Sequence, residues 1–270
     1  MTIALKLDHV RKEFPAKGAE AFVAVENISL DIHQGEFVSI VGPSGCGKST
    51  LLDLVAGLTK PSHGQILLNG KTITGPGLDR GIVFQQYALY PWLNALQNIE
   101  FGLEAKGVDK KTRREKAGYY LKLVGLAGFE QHYPNELSGG MKQRVAIARS
   151  LAYEPEILLM DEPFAALDAQ TRETLQEELI NIWKKSGSTI IFITHSIDEA
   201  IYLSQRVAIL TSRPGRVKQV IDIPEMIQGK GQDIRSSPEY GHIRHHIWTQ
   251  LSEEVIKAQA FEKNKQLQHA

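Results

Sequence analysis

The chain has 270 residues, with 31 Lys and Arg residues balanced by 31 Asp and Glu residues. This zero net charge excludes the bulk positive charge of a dedicated nucleic-acid binder and the high net charge of a disordered chain. The single cysteine, Cys46, excludes an internal disulfide. Because no run of about 18 apolar residues occurs and residues 1–6 lack a signal-peptide pattern, a soluble intracellular protein of about two domains is expected.

The first part of the chain has the pattern of strands separated by loops. Apolar and polar residues alternate over residues 4–10, which predicts a half-buried strand, and the charged stretch 11–21 predicts a loop. Residues 37–41 are apolar almost throughout, which predicts a strand buried on both faces. A helix that ends at Gly57 is expected to follow, and residues 64–84 carry further strand signals.

The rest of the chain alternates helical and strand patterns. Residues 87–150 have apolar positions at helical spacing, and buried strands are expected at 157–160 and 189–193. Ser196 and Glu199 have the spacing of a capping box at the start of a helix. Every fourth residue of a later segment is apolar, which predicts one docked helix; these residues are Ile243, Ile247, Leu251 and Val255. Strands alternating with helices predict an α/β fold with a largely parallel sheet.

Residues 42–49 match the pattern G-x-x-x-x-G-K-[ST] at every fixed position, between a buried strand and a helix. Glycines there let backbone N–H groups converge on phosphate oxygens, and the helix N-terminus adds its positive dipole end. Lys48 is expected to reach the β- and γ-phosphates, and the Ser49 hydroxyl is expected to bind Mg²⁺. The predicted nucleotide-binding residues of this loop are Gly42, Pro43, Ser44, Gly45, Cys46, Gly47, Lys48, Ser49 and Thr50.

Two acidic residues follow the apolar strand at 157–160. Asp161 stands where a P-loop enzyme holds Mg²⁺, and the adjacent Glu162 is placed to polarise water for attack on the γ-phosphate. Alone, the pair is more simply explained as two charges in a solvated turn. Beside a phosphate-binding loop, the catalytic interpretation is favoured.

Residues Leu137–Arg144 resemble the signature motif of ATP-binding cassette (ABC) ATPases. Other motifs of that family occur in order around it: Gln85 is similar to the Q-loop glutamine, Ala165–Asp168 to the D-loop and His195 to the switch histidine. The resemblance implies an α/β fold of the P-loop NTPase type, with a RecA-like mixed-sheet core and an inserted helical subdomain. The implied segments are an ATP-binding core at 1–86 plus 156–222, a helical signature subdomain at 87–155 and a C-terminal helical tail at 223–270.

The resemblance also implies a dimer with two ATP molecules at its interface, each between the P-loop of one subunit and the signature motif of the other. Ser138, Gly139 and Gly140 support this, because they open a helix that starts near Met141 and present free N–H groups and a positive dipole end. Two head-to-tail subunits bring both phosphate-binding surfaces onto ATP through an isologous contact. The partner is a second copy of the chain or a paralogous cassette.

The resemblance assigns roles to single residues. Glu162 is implied as the general base or water-orienting group, and His195 as the group that holds the γ-phosphate. Gln85 is implied to sense Mg²⁺ or the attacking water, and Asp168 belongs to the nucleotide-binding set. Together with Lys48, these groups position the phosphates and stabilise charge, which is most of what phosphoryl transfer needs.

Other residues have simpler alternatives. Phe14 resembles the aromatic residue that stacks on adenine, since it follows Arg11–Glu13, but Phe22 in the same region is an alternative. Cys46 is either a small filler or an oxidisable thiol, and Trp92 either a buried anchor or a contact for a membrane partner. A metal site is disfavoured at a histidine cluster near the C-terminus, which comprises His242, His245 and His246.

Several further segments resemble the nitrate/sulfonate/taurine group of importer ATPases, and they are residues 75–85, 88–92, 140–144, 211–216 and 238–257. This resemblance implies a peripheral subunit at the cytoplasmic face of the membrane. Its partners are integral membrane permease subunits and, indirectly, an extracellular solute-binding protein.

A sulfonate or taurine is the expected solute, with nitrate, bicarbonate or a thiamine precursor as alternatives, because an ATPase subunit does not contact the solute. An exporter ATPase with a separate permease is a less favoured reading. The interval from Gln85 to Ser138 is 53 residues, too short for the large insertion of a DNA-repair ATPase, so no nucleic-acid partner is expected.

Overall fold

The computed structural model describes residues 2–15, 21–228 and 232–268. Contacts between Cα atoms divide the chain into two compact units. The first is formed by Met1–Pro76 and Ile191–Ala270, and the second by Gly77–Ile190.

The predicted segment boundaries after residues 86, 155 and 222 stay predictions. Residues 229–231 and 269–270 of the predicted tail lie outside the described residues. Within the described ranges, no helix combines the length and the apolar character needed to cross a bilayer.

Strands and helices follow one another along the chain. The strands are β1 (Ile3–Phe14), β2 (Phe22–His33), β3 (Phe37–Val41), β4 (His63–Leu68), β5 (Lys71–Thr72), β6 (Arg80–Val83), β7 (Ile157–Asp161), β8 (Thr189–Ile193), β9 (Arg206–Leu210) and β10 (Val217–Asp222). The α-helices are α1 (Lys48–Ala56), α2 (Ala95–Ala105), α3 (Lys110–Leu123), α4 (Gly139–Ala152), α5 (Ala169–Ser186), α6 (Ile197–Leu203) and α7 (Pro238–Gln268). Short 3₁₀ helices span Pro134–Glu136 and Gln232–Ser236.

An antiparallel sheet in the first unit has the strand order β2-β1-β4-β5. β4 and β5 are joined by Asn69 and Gly70, whose φ angles of 46° and 76° are the left-handed values that a tight hairpin turn requires. The predicted loop over 11–21 is wrong for its first four residues, because β1 continues to Phe14. Lys12 pairs with Val25 and Phe14 with Phe22, so ladder hydrogen bonds keep this charged stretch in a strand.

The first unit also contains a buried parallel pair, β3 and β9, with β10 antiparallel to β9. All five residues of β3 are buried, as its apolar sequence predicts. β8, whose residues from Ile191 belong to this unit, is the other neighbour of β3. The backbone N–H of Thr194, just after β8, donates to the carbonyl of Ile40 at 3.3 Å. The carboxyl ends of β3 and β8 therefore lie side by side.

The helix α7 docks on the first unit through one face. Ile247 is fully buried there, with Ile243 and Leu251 partly buried beside it. The prediction that Val255 lies on the same face is wrong, because Val255 is 38% exposed and Glu254 is buried instead. At about 3.6 residues per turn, a row of every fourth residue drifts by about 40° at each step, so the docked face reaches position 254 after three steps.

The second unit contains the predicted helical region. The helices α2, α3 and α4 fall within residues 87–152 and contact one another. Leu121, Val124 and Leu126 are buried, as their helical spacing predicts. β6 and β7 pair in parallel, and β7 is buried except for its last residue, Asp161.

Candidate functional site

The predicted phosphate-binding loop links β3 to α1 in the first unit. Gly45 and Gly47 have φ angles of 73° and 99°, which glycine adopts readily. A Cβ atom at Gly47 would also stand 2.8 Å from the carbonyl oxygen of Ala24, so no side chain fits there. Gly47 caps α1, and Gly57 ends it in a left-handed conformation, as predicted. The loop is therefore a glycine-dependent turn that opens directly onto a helix N-terminus.

The Lys48 side chain folds back over this loop. Its Nζ donates to the carbonyl oxygens of Gly42 at 2.9 Å and Pro43 at 3.1 Å, and the residue is 8% exposed. A buried ammonium group is costly unless it has polar partners, and its own loop supplies them. Ser49 lies exposed on the first turn of α1. An ammonium group, glycine backbone and a helix N-terminus at one loop fit the phosphates of a nucleotide.

Cys46 points into the protein. The residue is 1% exposed, and its Sγ would stand 2.7 Å from a Cβ atom at Gly42. Burial raises the pKa of the Cys46 thiol, although the nearby Lys48 charge opposes this. The packing agrees with the interpretation of Cys46 as a small filler.

Phe14 and Phe22 form one aromatic surface at the end of β1 and the start of β2. Their rings stack with centroids 6.5 Å apart, and both residues are 39% exposed. Lys12 Nζ lies 5.0 Å from the Phe14 ring, and the Arg213 guanidinium lies 4.7 Å from the Phe22 ring. The two candidate adenine-stacking residues are thus joined, and adenine stacking by either residue stays a prediction.

Arg213 connects this aromatic surface to the phosphate loop, and sequence reasoning missed it. Its Nε donates to the carbonyl oxygen of Gly45 at 3.1 Å. Next to it, Gly215 exchanges backbone hydrogen bonds with Ala24 and Glu26, at 3.0 and 2.8 Å. An arginine in a Gly- and Pro-containing turn was the available signal, but a contact across 168 positions has no local pattern.

His195 follows β8 in the same unit and is exposed. Its neighbours are fixed: Thr194 Oγ1 donates to Glu199 Oε2 at 2.5 Å and accepts from the Ser196 N–H at 3.0 Å. Ser196 caps α6 by accepting from the Glu199 N–H, as predicted. The Thr194–Ile40 bond places His195 beside the carboxyl end of β3, from which the phosphate loop departs.

The acidic pair lies in the second unit, at the carboxyl end of β7. Asp161 ends the strand and Glu162 follows with φ at 43°, a left-handed value that costs a non-glycine residue roughly 1–2 kcal/mol. Strain of this kind is concentrated at functional sites. Asp168 of the predicted D-loop caps α5, and hydrogen bonds from Thr171 lower the pKa of its carboxyl group.

The signature residues open α4, which begins at Gly139, two residues before the predicted start near Met141. Ser138 Oγ accepts from the Met141 N–H at 3.3 Å. A Cβ atom at Gly140 would stand 2.7 Å from Thr171 Cγ2, so this position is restricted to glycine by packing. The first N–H groups of a helix have no intrahelical acceptor, and those of Gly139 and Gly140 belong to this set.

The Q-loop of the second unit is held by a residue that sequence reasoning missed. Gln85 is exposed just after β6, and Tyr87 and Ala88 follow with left-handed φ angles of 59° and 47°. Arg149, on the signature helix α4, donates to the carbonyl oxygens of Tyr87 at 3.0 Å and Ala88 at 2.6 Å. One guanidinium group therefore fixes the strained turn that follows Gln85.

Trp92 is 70% exposed, so the interpretation of Trp92 as a buried anchor is wrong. It lies beside Tyr90, with ring centroids 5.6 Å apart, and Tyr90 packs on the half-exposed Phe101.

His245 of the C-terminal histidine cluster stacks on Trp248. Within the described residues, no group of three or more His, Cys, Asp or Glu side chains is arranged to hold a metal ion.

The structure thus places the predicted residues in two sets. The first unit brings together the phosphate loop, Phe14 and His195, and the second unit carries Gln85, the acidic pair, the signature residues and Asp168. Residues 25–165 match the family model described as ABC transporter. The chain belongs to the ABC transporter family. It is an ATPase that hydrolyses ATP to drive transport.

Three curated relatives are similar over most of their length. An ABC transporter ATP-binding protein of Methanocaldococcus jannaschii, MJ0412, is 52% identical over 96% of this chain and 95% of its own. The nitrate import ATP-binding protein NrtD of Synechocystis sp. is 50% identical over 87% of this chain and 90% of its own. The taurine import ATP-binding protein TauB of Roseobacter denitrificans is 42% identical over 93% of this chain and 96% of its own.

Among solved structures, the chain resembles the dimeric post-hydrolysis state of the ATP-binding cassette MJ0796 bound to ADP and Pi. The TM-score is 0.71 at 37% identity, and the match covers 82% of this chain and 99% of that one. The predicted cassette fold is confirmed, with a parallel sheet core and a helical subdomain. The chain is the ATPase subunit of an ABC importer.

Proposed function

We propose that this subunit energises the import of a small anion, with taurine or another sulfonate as the leading solute. The observation that carries the ATP-driven part is the buried Lys48 ammonium group over a glycine-dependent loop at a helix N-terminus. The solute class is supported by the relative named for taurine import. Nitrate is the second candidate, supported by a nitrate import relative at 50% identity.

Contacts to the phosphates and the base of ATP are assigned to the first unit. Lys48 exchanges its two carbonyl partners for phosphate oxygens, and the backbone of the predicted loop surrounds those phosphates. The joined rings of Phe14 and Phe22 stack on the base, since an exposed aromatic face is what a purine ring packs against. Ser49, Gln85 and Asp161 supply the hydroxyl, amide and carboxylate oxygens that Mg²⁺ prefers.

Roles in hydrolysis are assigned to Glu162 and His195. Glu162 orients the attacking water and accepts its proton, and its left-handed backbone sets the direction in which the side chain leaves the chain. His195 hydrogen-bonds to the γ-phosphate. Bound Mg²⁺ supplies charge neutralisation to the phosphates, and the remaining contribution is positioning.

A dimer completes the site in this proposal. The helix N-terminus at Ser138–Gly140, of which Ser138 is exposed, binds the γ-phosphate held by the partner, and Asp168 lies at the same interface. The dimeric relative bound to ADP and Pi supports this arrangement. The exposed side chains Trp92 and Phe101 are apolar enough to contact permease subunits, which hold the protein at the cytoplasmic face of the membrane.

Uptake by a strain that lacks this gene tests the solute. Labelled taurine, an alkanesulfonate, nitrate and bicarbonate are supplied in turn, and the gene is restored either intact or as Lys48→Ala. We expect loss of taurine or alkanesulfonate uptake, recovered with the intact gene and not with Lys48→Ala. Loss of nitrate uptake alone would establish the second candidate. Full uptake of every solute by the deleted strain would contradict both.

A further inference from the structure

We infer that Glu254, on the C-terminal helix α7, is a positioning residue for ATP binding, acting through Ser212 and Arg213 on the phosphate loop. The inference rests on the proposed phosphate loop at residues 42–50. Every residue of the connection lies in the first unit.

Glu254 is a buried carboxylate that holds the loop at residues 211–216. Its Oε2 accepts from the Ser212 N–H at 2.9 Å and from Ser212 Oγ at 3.2 Å. Its Oε1 lies 2.8 Å from Lys257 Nζ and 3.1 Å from Lys218 Nζ. Both oxygens of the carboxylate are therefore in use, and the residue is only 1% exposed.

A buried charge is an expensive way to dock a helix. Replacing a buried ion pair by apolar residues of the same shape is often neutral or stabilising, so such a pair is weak evidence for a role in stability alone. The apolar face of α7 already docks through Ile247. What the carboxylate adds is direction, because its hydrogen bonds fix the orientation of one backbone N–H group, that of Ser212.

The loop that Glu254 holds is closed on itself. The Thr211 N–H donates to the carbonyl of Arg216 at 2.9 Å, and the Arg216 N–H donates back to Thr211 Oγ1 at 2.9 Å. Thr211 Oγ1 also donates to the carbonyl of Pro214 at 3.0 Å. A loop tied in this way moves as one body, so fixing Ser212 also fixes Arg213.

Arg213 transmits this position to the nucleotide-binding groups. Its Nε donates to the carbonyl oxygen of Gly45, at the centre of the phosphate loop, and its guanidinium lies on the Phe22 ring. A Cβ atom at Gly45 would stand 2.7 Å from an Arg213 terminal nitrogen, so the contact is close. The phosphate loop and the aromatic surface thus share one support, and that support is anchored at Glu254.

Nucleotide binding by the full-length purified chain tests the inference, with fluorescent ATP as the probe. Arg213→Ala removes the shared support, and Glu254→Gln removes the anchoring charge at nearly constant shape. From the loss of charge-assisted and cation–π contacts we expect a dissociation constant raised about 5- to 10-fold for Arg213→Ala and about 3- to 10-fold for Glu254→Gln.

Two neighbours supply matched controls. Glu253→Gln removes the adjacent carboxylate, which contacts Lys218 but not the loop, and Arg216→Ala removes the other loop arginine, which contacts Glu26. Both are expected to bind ATP within about twofold of the unaltered protein. Thermal unfolding of each variant separates loss of binding from loss of the fold.

The double variant Arg213→Ala with Glu254→Gln decides whether one residue acts through the other. If Glu254 acts through Arg213, its substitution adds less than about twofold once Arg213 is gone, because the two effects are then not additive. Additive effects, or Glu254→Gln binding ATP as Glu253→Gln does, would overturn the inference. ATP binding by Lys48→Ala is measured alongside. If Lys48→Ala binds ATP normally, the assignment of the phosphate loop is contradicted. If Lys48→Ala binds ATP weakly and Glu254→Gln binds it normally, only the positioning role of Glu254 is contradicted.

Discussion

Arg149 donates from Nη1 to the carbonyl oxygen of Ala88 at 2.6 Å, joining the signature helix to the turn that follows Gln85. Partial burial lowers the pKa of this guanidinium, and the fold tolerates the half-buried charge because two carbonyl oxygens accept from it. The left-handed backbone at Tyr87 and Ala88 depends on that support. Within the second unit, the position of the Q-loop is thus coupled to the helix that begins at the signature motif.

Arg149→Ala should loosen this turn. Loss of hydrogen bonds from a charged donor is expected to cost about 2 kcal/mol locally, or roughly 30-fold faster amide exchange over residues 85–90. Hydrogen exchange read by mass spectrometry measures this directly. The exposed Arg114 on α3 provides the control, and Arg114→Ala should leave that segment unchanged. Equal exchange in the two variants would show that Arg149 does not hold the turn.

Lys48→Ala should weaken ATP binding. The ammonium group is the buried cation of the phosphate loop, and losing a charge-assisted contact to phosphate is expected to raise the dissociation constant at least about 10-fold. Fluorescent ATP titration measures the change, and Lys60→Ala, at an exposed position, is the control. Binding equal to that of Lys60→Ala would mean that the phosphate site lies elsewhere.

Glu162→Gln should bind ATP and hydrolyse it slowly. Removing a general base is expected to lower the turnover rate by about 10²- to 10⁴-fold, so ATP stays bound and a dimer accumulates. Light scattering after gel filtration with ATP and Mg²⁺ measures the mass. Glu177→Gln, on an exposed face of α5, should turn over normally. A Glu162→Gln protein that stays monomeric with ATP would contradict the dimer proposed above.

Cys46 should react slowly with iodoacetamide. Burial excludes the reagent and raises the thiol pKa, so less thiolate is present at pH 8, and modification is expected to be at least about 10-fold slower than for a free cysteine. Because the chain has one cysteine, the mass of the protein reports this reaction without ambiguity. Denaturant should restore the ordinary rate. Fast modification of the folded protein would show that the thiol is accessible.

Glu254 should stabilise the fold at neutral pH and lose that effect in acid. Although burial opposes ionisation, hydrogen bonds from Lys257 and the Ser212 N–H lower its pKa from 4.5 to about 2. A depressed carboxyl pKa gives a contribution to stability that is complete above pH 4.5 and lost as the pH falls toward 2, on the order of 3 kcal/mol.

Urea unfolding at pH 7 and pH 3 measures this dependence. Glu254→Gln should have a smaller free energy of unfolding than the unaltered protein at pH 7, and this difference in free energy should be smaller at pH 3. Glu253→Gln should differ little from the unaltered protein in free energy of unfolding at either pH, because the Glu253 carboxylate is exposed. A gap for Glu254→Gln that is independent of pH would contradict the role of the ionised group.

Structural features that depend on residues close together in the chain could be predicted from the sequence. The glycine spacing of the phosphate loop, the start of α1 and its end at Gly57 are local signals, and the structure confirms the helix. The end of β1 was predicted as a loop because it is charged. It is a strand because it pairs with β2, and not because apolar residues alternate there. Counting every fourth residue of α7 ignored the drift of the helix face, so Val255 was predicted to be buried where Glu254 is.

Contacts between distant residues could not be predicted in this way. Arg213 contacts Gly45 across 168 positions and Arg149 contacts Tyr87 across 62, and no local pattern identifies either distant contact. The sequence could not decide between Phe14 and Phe22 as the adenine-stacking residue, and strand pairing places the two side by side. Tertiary geometry alone shows that these residues support the predicted motifs.

The distance along the chain between Gly45 and Arg213 also sets an order of events during synthesis. At roughly 5–20 residues per second, the ribosome needs about 10–30 s to add the 168 residues that separate them. For that interval the phosphate loop has been synthesised while the turn that packs on it does not yet exist. A nascent chain stalled before Arg213 therefore carries the glycine loop and Phe22 without their shared support.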